Sequence, residues 1–518
     1  MNKIERLTRI SAIAVLIFAV LTGCDTGGEP APTVDEPPTT ETEDVNMTET
    51  SQEELVQLPP REPVELRYEA ADAELFGNVR LSGDYLEGFE QDDDYCAFTV
   101  EIPYSGFYDL EFVSVGIGGA KDNYVSVNGE RIGDAHTTAD GSVPALVSRV
   151  YLEAGSNTVE FQKHWGWVRL ETLIITDSAP IDTTIYNVSA KLVNPNANET
   201  TRRLMSYLAD SYGSVILSGQ YSDMGIFGEE PGVIFFETGK RPAVLGLDMM
   251  DYTPSRAARG TSSRAVEHAI EMDAQGGIVT FCWHWNAPDK YLRPNGTWYR
   301  GFYTDETRGM DLAKIMNGDE PESYDLLMAD IDAIAVQLKI LQDADVPVLW
   351  RPLHEAAGRW FWWGAAGPEA QKQLWITMYE KLTFEHGLNN LIWLWNGQDT
   401  DWYPGDEYVD IIGEDIYPGE RVYSSQANKF IEAVNYADTP KIVVLSENSV
   451  IFDPDLALRD GAMWGFWATW SGDFVLRTPA LRYSEQYTEK EMLLKAYNHE
   501  LVVTLEDLPD LKNYPIRD

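Results

Sequence analysis

The sequence predicts an all-β sandwich followed by an α/β TIM (β/α)8 barrel, a multidomain chain with an export segment ahead of both domains. Three observations carry this. Residues 62–178 run as short alternating stretches separated by turn residues. From about residue 200, apolar strands alternate with helical patterns. The length of 518 residues accommodates a barrel, which takes about 250 residues or more, plus a second domain.

The N-terminus reads as an export signal. Lys3, Arg6 and Arg9 precede an apolar run over 11–21 (SAIAVLIFAVL), too short to span a bilayer comfortably. Leu21-Thr22-Gly23-Cys24 follows directly and resembles the bacterial lipobox. That resemblance implies lipidation of Cys24, contact with a membrane through the N-terminal lipid only, and a place in the cell envelope facing away from the cytoplasm. Either membrane leaflet fits, and an ordinary signal peptide with an incidental Cys is the alternative. Residues 25–60 hold ten carboxylates and no Lys or Arg, with many Pro and Thr. Such a segment buries too little apolar surface to offset its ordering entropy, so 25–61 is expected to be a solvated tether.

Within 62–178 the stretches YCAFTVEI, FYDLEFVSV, NYVSVNG, SRVYLEA, NTVEFQK and VRLETLIIT recur, broken by Ser105-Gly106, Asn128-Gly129 and Ala154-Gly155-Ser156-Asn157. Short strands at this spacing predict a β-sandwich. Residues 179–195 read as a linker or approach strand. The segment 196–518 then supplies eight candidate barrel strands: 215–220, 243–250, 277–285, 346–355, 390–396, 409–417, 441–448 and 464–470. Alternation of strands and helices implies a parallel sheet.

Charge narrows the function. A formal net charge of -45 would repel nucleic acid and anionic membrane surfaces, whereas a neutral substrate fits it. Sixteen Trp supply flat faces suited to sugar rings, although a large core would use them equally well. Cys96 and Cys282 fall in different predicted domains, so a disulfide between them is not expected.

In a TIM barrel the C-terminal ends of the strands form the active-site face. The strand assignment therefore gathers Trp283, His284, His354, Glu355, Tyr417, Glu447 and Trp470 around one mouth. Glu355 ends the fourth strand and Glu447 the seventh, so two carboxylates can converge on one sugar, as glycoside hydrolysis requires. The general acid needs a raised pKa, and the aromatic run Trp-Phe-Trp-Trp at 360–363 offers Glu355 an apolar setting. A structural ion pair is the competing reading for either carboxylate alone.

Residues 350–364 (WRPLHEAAGRWFWWG), 445–449 (LSENS) and 283–286 (WHWN) resemble glycoside hydrolase family 26 over about 195–505. The resemblance implies that Glu355 is the acid/base and Glu447 the nucleophile of a retaining reaction. It implies that His354 hydrogen-bonds at the nucleophile or the −1 sugar and that Tyr417 donates to Glu447. His284 would bind hydroxyls in the −1 subsite, Trp360 would stack on a sugar, and Trp470 would floor the −1 site, with Trp467 competing for that role. Arg351 would buttress the carboxylates from within the core. Core packing is the other reading for His284 and Trp470, and Asp248, Asp251 and Asp415 are left without assigned roles. The resemblance favours endo-β-1,4-mannanase action on mannan, glucomannan or galactomannan, with no cofactor for catalysis. Mixed-linkage β-glucan, β-1,3-xylan, or a catalytically inactive surface glycan-binding lipoprotein are the alternatives.

Residues 65–178 resemble carbohydrate-binding module family 35 through YEAADA (68–73) and GWVRLETLII (166–175). That resemblance implies a structural calcium ion with Glu69 and Glu171 as ligands, although Ala71 stands where a second acidic ligand is often found. Trp165, Trp167 and Asn123 are the candidate sugar-binding surface, with packing between the sheets as the alternative for the two Trp.

Overall fold

The computed structural model describes residues 62–477 and 481–517. The export signal, Cys24 and the acidic tether lie outside the described residues.

The N-terminal domain is a sandwich of two antiparallel sheets, one of six strands and one of five, spanning Glu65 to Asp177. Alternation builds it: along Gly106–Gly116 every second residue is buried, so one face of the strand meets the opposite sheet. Phe112 from one sheet meets Phe161 from the other at 5.0 Å between ring centroids. Cys96 and Cys282 are both buried free thiols.

The second domain is a closed barrel of eight parallel strands. In chain order these are Gly219–Tyr221, Val244–Asp248, Ile278–Cys282, Val348–Arg351, Leu391–Trp395, Ile411–Ile416, Ile442–Asn448 and Trp467–Thr469. Seven lie inside the segments expected from sequence, and the first runs one residue past 215–220, to Tyr221; all are shorter than expected, because the C-terminal residues of most segments leave the ladder to form the mouth. These strands are buried on both faces, which accounts for their continuous apolar runs. Gly219 closes the ring: a Cβ there would come within 2.2 Å of the Trp467 carbonyl, so strand one approaches strand eight only without a side chain.

Residues 179–195 are not a free linker. They hold a 3-10 turn at Thr183–Tyr186, and Val188, Ala190 and Leu192 are buried in the barrel core. Apolar residues at this spacing gain more by covering the barrel than by staying solvated. The two domains also touch directly. Arg131 donates to the Pro418 carbonyl at 2.7 Å, and Arg149 donates to the Asp460 carbonyl at 3.2 Å. Among the described residues no helix is long and apolar enough to cross a membrane.

Candidate active site

The ends of the barrel strands surround a cavity of about 510 Å³, with Glu355, Glu447, His284, Trp360, Tyr417 and Trp470 in its wall. Carboxylate oxygens of Glu355, Asp415 and Glu447 all lie within 4.8 Å of one another. Three acidic groups this close need a cation or a proton. Arg351, fully buried at the end of strand four, donates to Asp415 at 2.5 Å and to Glu447 at 2.6 Å. Its guanidinium thus fills the place a metal ion would take between those two carboxylates. Tyr417 donates its hydroxyl to the other Glu447 oxygen. Glu447 is therefore held at both oxygens, by a cation and a phenol, in the acceptor role of a carboxylate.

Glu355 has no such cation in contact. Burial, then the charges of Asp415 and Glu447, push its pKa well above the ordinary carboxylate range, against a lowering bond from Trp360. The Trp360 indole N–H donates to Glu355 Oε2 at 2.9 Å. Glu355 is the member of the cluster without an arginine; burial also raises the pKa of Asp415, to about 7, against the lowering charge of Arg351.

Backbone geometry aims this acid. Leu353, Glu355 and Arg359 all adopt positive φ (52°, 53° and 59°), a conformation that costs non-glycine residues of order 1–3 kcal/mol each and persists where its surroundings enforce it. Asn396, at the end of strand five, enforces it here. Its backbone and side-chain oxygens both accept from the Glu355 amide, at 2.8 and 3.1 Å. Its amide nitrogen donates to Ser446, which in turn donates to Asp415. Gly358 makes room for the indole, since a Cβ there would come within 2.0 Å of the Trp360 ring.

His284 lines the cavity, its Nδ1 held 2.7 Å from Asp248. His354 makes no hydrogen bond to Glu447, one of the two partners expected for it, the other being the −1 sugar. It is 1% exposed, with Nε2 3.3 Å from Nε2 of His284, because Arg351 already occupies the inner side of the nucleophile. Burial, Arg351 and His284 hold its pKa well below the usual histidine value, so it is a neutral support for His284. Trp467 is fully buried in the core, whereas Trp470 faces the cavity beside Tyr221 at 4.7 Å. Trp362 and Trp363 are core residues whose indoles donate to Trp285 and His354 carbonyls. Asp251 pairs with Arg256.

Sequence reasoning passed over Tyr221, Asp223, Phe302 and Tyr303, which also line the cavity. Tyr221 follows a Gln at the end of the short first strand and carried only that positional signal. Phe302 and Tyr303 come from a long loop after strand three, where no periodicity marks them.

Residues 193–506 match Glycosyl hydrolase family 26. The chain belongs to glycosyl hydrolase family 26. Residues 66–177 match Carbohydrate binding module (family 35). This family 26 hydrolase is 39% identical over 451 residues to a mannan endo-1,4-beta-mannosidase of Thermothelomyces thermophilus, covering 85% of this chain and 90% of that protein. It is 34% identical to mannan endo-1,4-beta-mannosidase B of a Piromyces species, covering 85% and 77%. The crystal structure of a Podospora anserina GH26-CBM35 beta-(1,4)-mannanase superimposes with a TM-score of 0.60 at 37% identity, covering 87% of this chain and 99% of that one.

In the module of this family 26 hydrolase, Trp165 and Trp167 are 70% and 57% exposed. Asn123 is not beside them at the surface. It is fully buried, donating to the Gln162 carbonyl at 3.3 Å, because its strand position points between the sheets. Glu69 and Glu171 do not fit a calcium site as placed. The Glu69 carboxylate is taken by Arg67 at 2.7 Å and by the Thr172 hydroxyl. Glu171 is exposed at a bulge between Leu170 and Thr172. Arg67 and the Thr172 hydroxyl thus occupy the two oxygens that Glu69 would offer an ion. In the barrel, Asp248, Cys282 and His284 also cluster within 4.8 Å, and burial pushes the Cys282 thiol well above its usual pKa.

Proposed function

We propose that the protein is a retaining endo-β-1,4-mannanase working by double displacement. The observation that carries this reading is the approach of Glu355 and Glu447, whose carboxylate oxygens lie within 4.8 Å. Retaining glycosidases place their two carboxyl groups about 5–5.5 Å apart, and inverting ones leave room for a water between them. Glu447 attacks the anomeric carbon of the sugar in the −1 site while Glu355 gives its proton to the departing glycosidic oxygen. A covalent glycosyl-enzyme results. Glu355, now ionised, takes a proton from water, and the water oxygen displaces Glu447.

The environments divide the labour. The cation and phenol on Glu447 hold both its oxygens and aim it. The cation-free setting of Glu355, where burial raises its pKa, suits it to donate a proton. The names of the curated relatives support mannan as the polymer. The module is read as holding the enzyme on polysaccharide and so raising local substrate concentration. Cys24 is read as the lipid attachment point that places the enzyme in the cell envelope.

The test is reducing-sugar release from linear mannan, galactomannan, mixed-linkage β-glucan and β-1,3-xylan, with the anomer of the first product read by NMR. Mannan cleavage giving the β-anomer first is expected. Release from glucan or xylan alone overturns the polymer, and an α-anomer overturns the mechanism. Metabolic labelling with a fatty acid, lost in Cys24→Ala, tests the anchor.

A further inference from the structure

A second cavity of about 470 Å³ adjoins the catalytic one. Trp360 and Tyr417 belong to both walls, and both are half exposed, at 47% and 43%. The cleft therefore continues past these two rings. Its near wall is the loop directly after the acid/base, at Ala357 and Gly358. Its far wall comes from the other domain, through Asp122, Arg131 and His136 on the sandwich strands Lys121–Val127 and Glu130–Thr137.

We propose that this groove is a substrate subsite on the leaving-group side, built jointly by the barrel and the sandwich. The inference rests on the glycosidase reading given above. Direction follows from chemistry. Glu355 protonates the leaving oxygen, so the sugars beyond the Glu355–Trp360 loop are those of the departing chain. His284, Asp248 and Trp470 line only the other side.

The groove suits a neutral, hydroxyl-rich chain. Asp122 and His136 face each other across the strand pair at 2.7 Å, presenting acceptor and donor together at an exposed edge. Lys429 and Asn428 answer from the barrel wall, and Asn428 Oδ1 has no hydrogen-bond partner. The two walls are fitted to one another. Arg131 stacks 3.4 Å from the Tyr124 ring centroid and reaches the Pro418 carbonyl. Gly133 gives Asn428 its space, since a Cβ would lie 2.9 Å from Nδ2. Paired charges of both signs bind sugar hydroxyls without favouring an ion. This site is separate from the exposed Trp165 and Trp167, which do not line the groove.

The experiment compares the full-length protein with Asp122→Ala, His136→Ala and the double variant on two substrates. One is mannohexaose, long enough to enter the groove. The other is an aryl β-mannobioside, whose leaving group ends at the first position. The double variant is expected to lose about tenfold in kcat/KM on the hexaose, the loss expected of one or two hydrogen bonds, and nothing on the aryl substrate. Its cleavage of the hexaose, mapped in 18O water by mass spectrometry, should move toward the reducing end, because longer leaving groups lose their preference. Equal loss on both substrates, or no change on either, overturns the groove. Thermal unfolding of each variant separates a folding defect from a lost contact, and His136→Trp, which fills the groove, must lower only hexaose turnover. If the wild type cleaves gluco- but not manno-substrates, the mannan reading fails, and the same ratio on cellohexaose and an aryl cellobioside still decides the groove.

Discussion

Arg351 Nη2 lies 2.6 Å from Glu447 Oε2, with the arginine fully buried and the Glu447 side chain 7% exposed at the cavity wall. A buried charge pair of this kind is strongly coupled to the fold, and losing one partner strands the other. Arg351→Met leaves Asp415 and Glu447 without their cation and is expected to destabilise the protein by about 3–5 kcal/mol. Denaturant unfolding measures it. A loss below about 1 kcal/mol would mean that the two carboxylates take up a proton in the fold at little cost.

Glu355→Ala removes the proton donor and leaves the nucleophile in place. Activity on mannan should fall by about 10²–10⁴-fold. Turnover of a 2,4-dinitrophenyl β-mannoside, whose leaving group needs no proton, should fall far less. Added azide should then accelerate release and give a β-glycosyl azide. Equal losses on both substrates would reassign the acid.

The pH dependence follows from the raised pKa of Glu355, whose first cause is burial. The alkaline limb of kcat/KM reports its ionisation. Trp360 donates to the carboxylate and so favours the charged form. Trp360→Phe should therefore move that limb to higher pH. A limb that stays in place would mean another group sets it.

Stability carries the same sign. A carboxyl whose folded pKa is raised binds its proton more tightly in the native state. Its contribution is fully present below the unfolded value near 4.5 and is lost as pH rises through the folded value. Glu355→Gln, which cannot ionise, is thus expected to melt higher than the wild type above that range and level with it at acid pH. The difference between melting curves at neutral pH and near pH 4 tests this.

Glu69 is engaged by Arg67 and Thr172, so calcium and EDTA should leave the melting temperature of the protein unchanged. Trp165→Ala and Trp167→Ala should weaken retention on insoluble mannan while leaving hydrolysis of soluble oligosaccharides intact. A calcium-dependent rise in melting temperature would restore Glu69 as a ligand, and unchanged retention would move the binding surface elsewhere on the module.

The two domains, the eight barrel strands and the strand ends carrying Glu355 and Glu447 were legible in the residue pattern alone. These depend on periodicity and on the rule that barrel strands deliver their last residues to one face. Which neighbours those residues meet was set by the folded chain. Asn123 and His354 turned inward, and Arg351 came to bridge Asp415 and Glu447, through packing between segments far apart in the chain. Asn396 reaches Glu355 from 41 residues away, and Arg131 reaches Pro418 from 287. A periodic pattern records which side of its own strand a residue faces. It holds nothing about what stands opposite, because that is set by closure of the barrel and docking of the sandwich onto it.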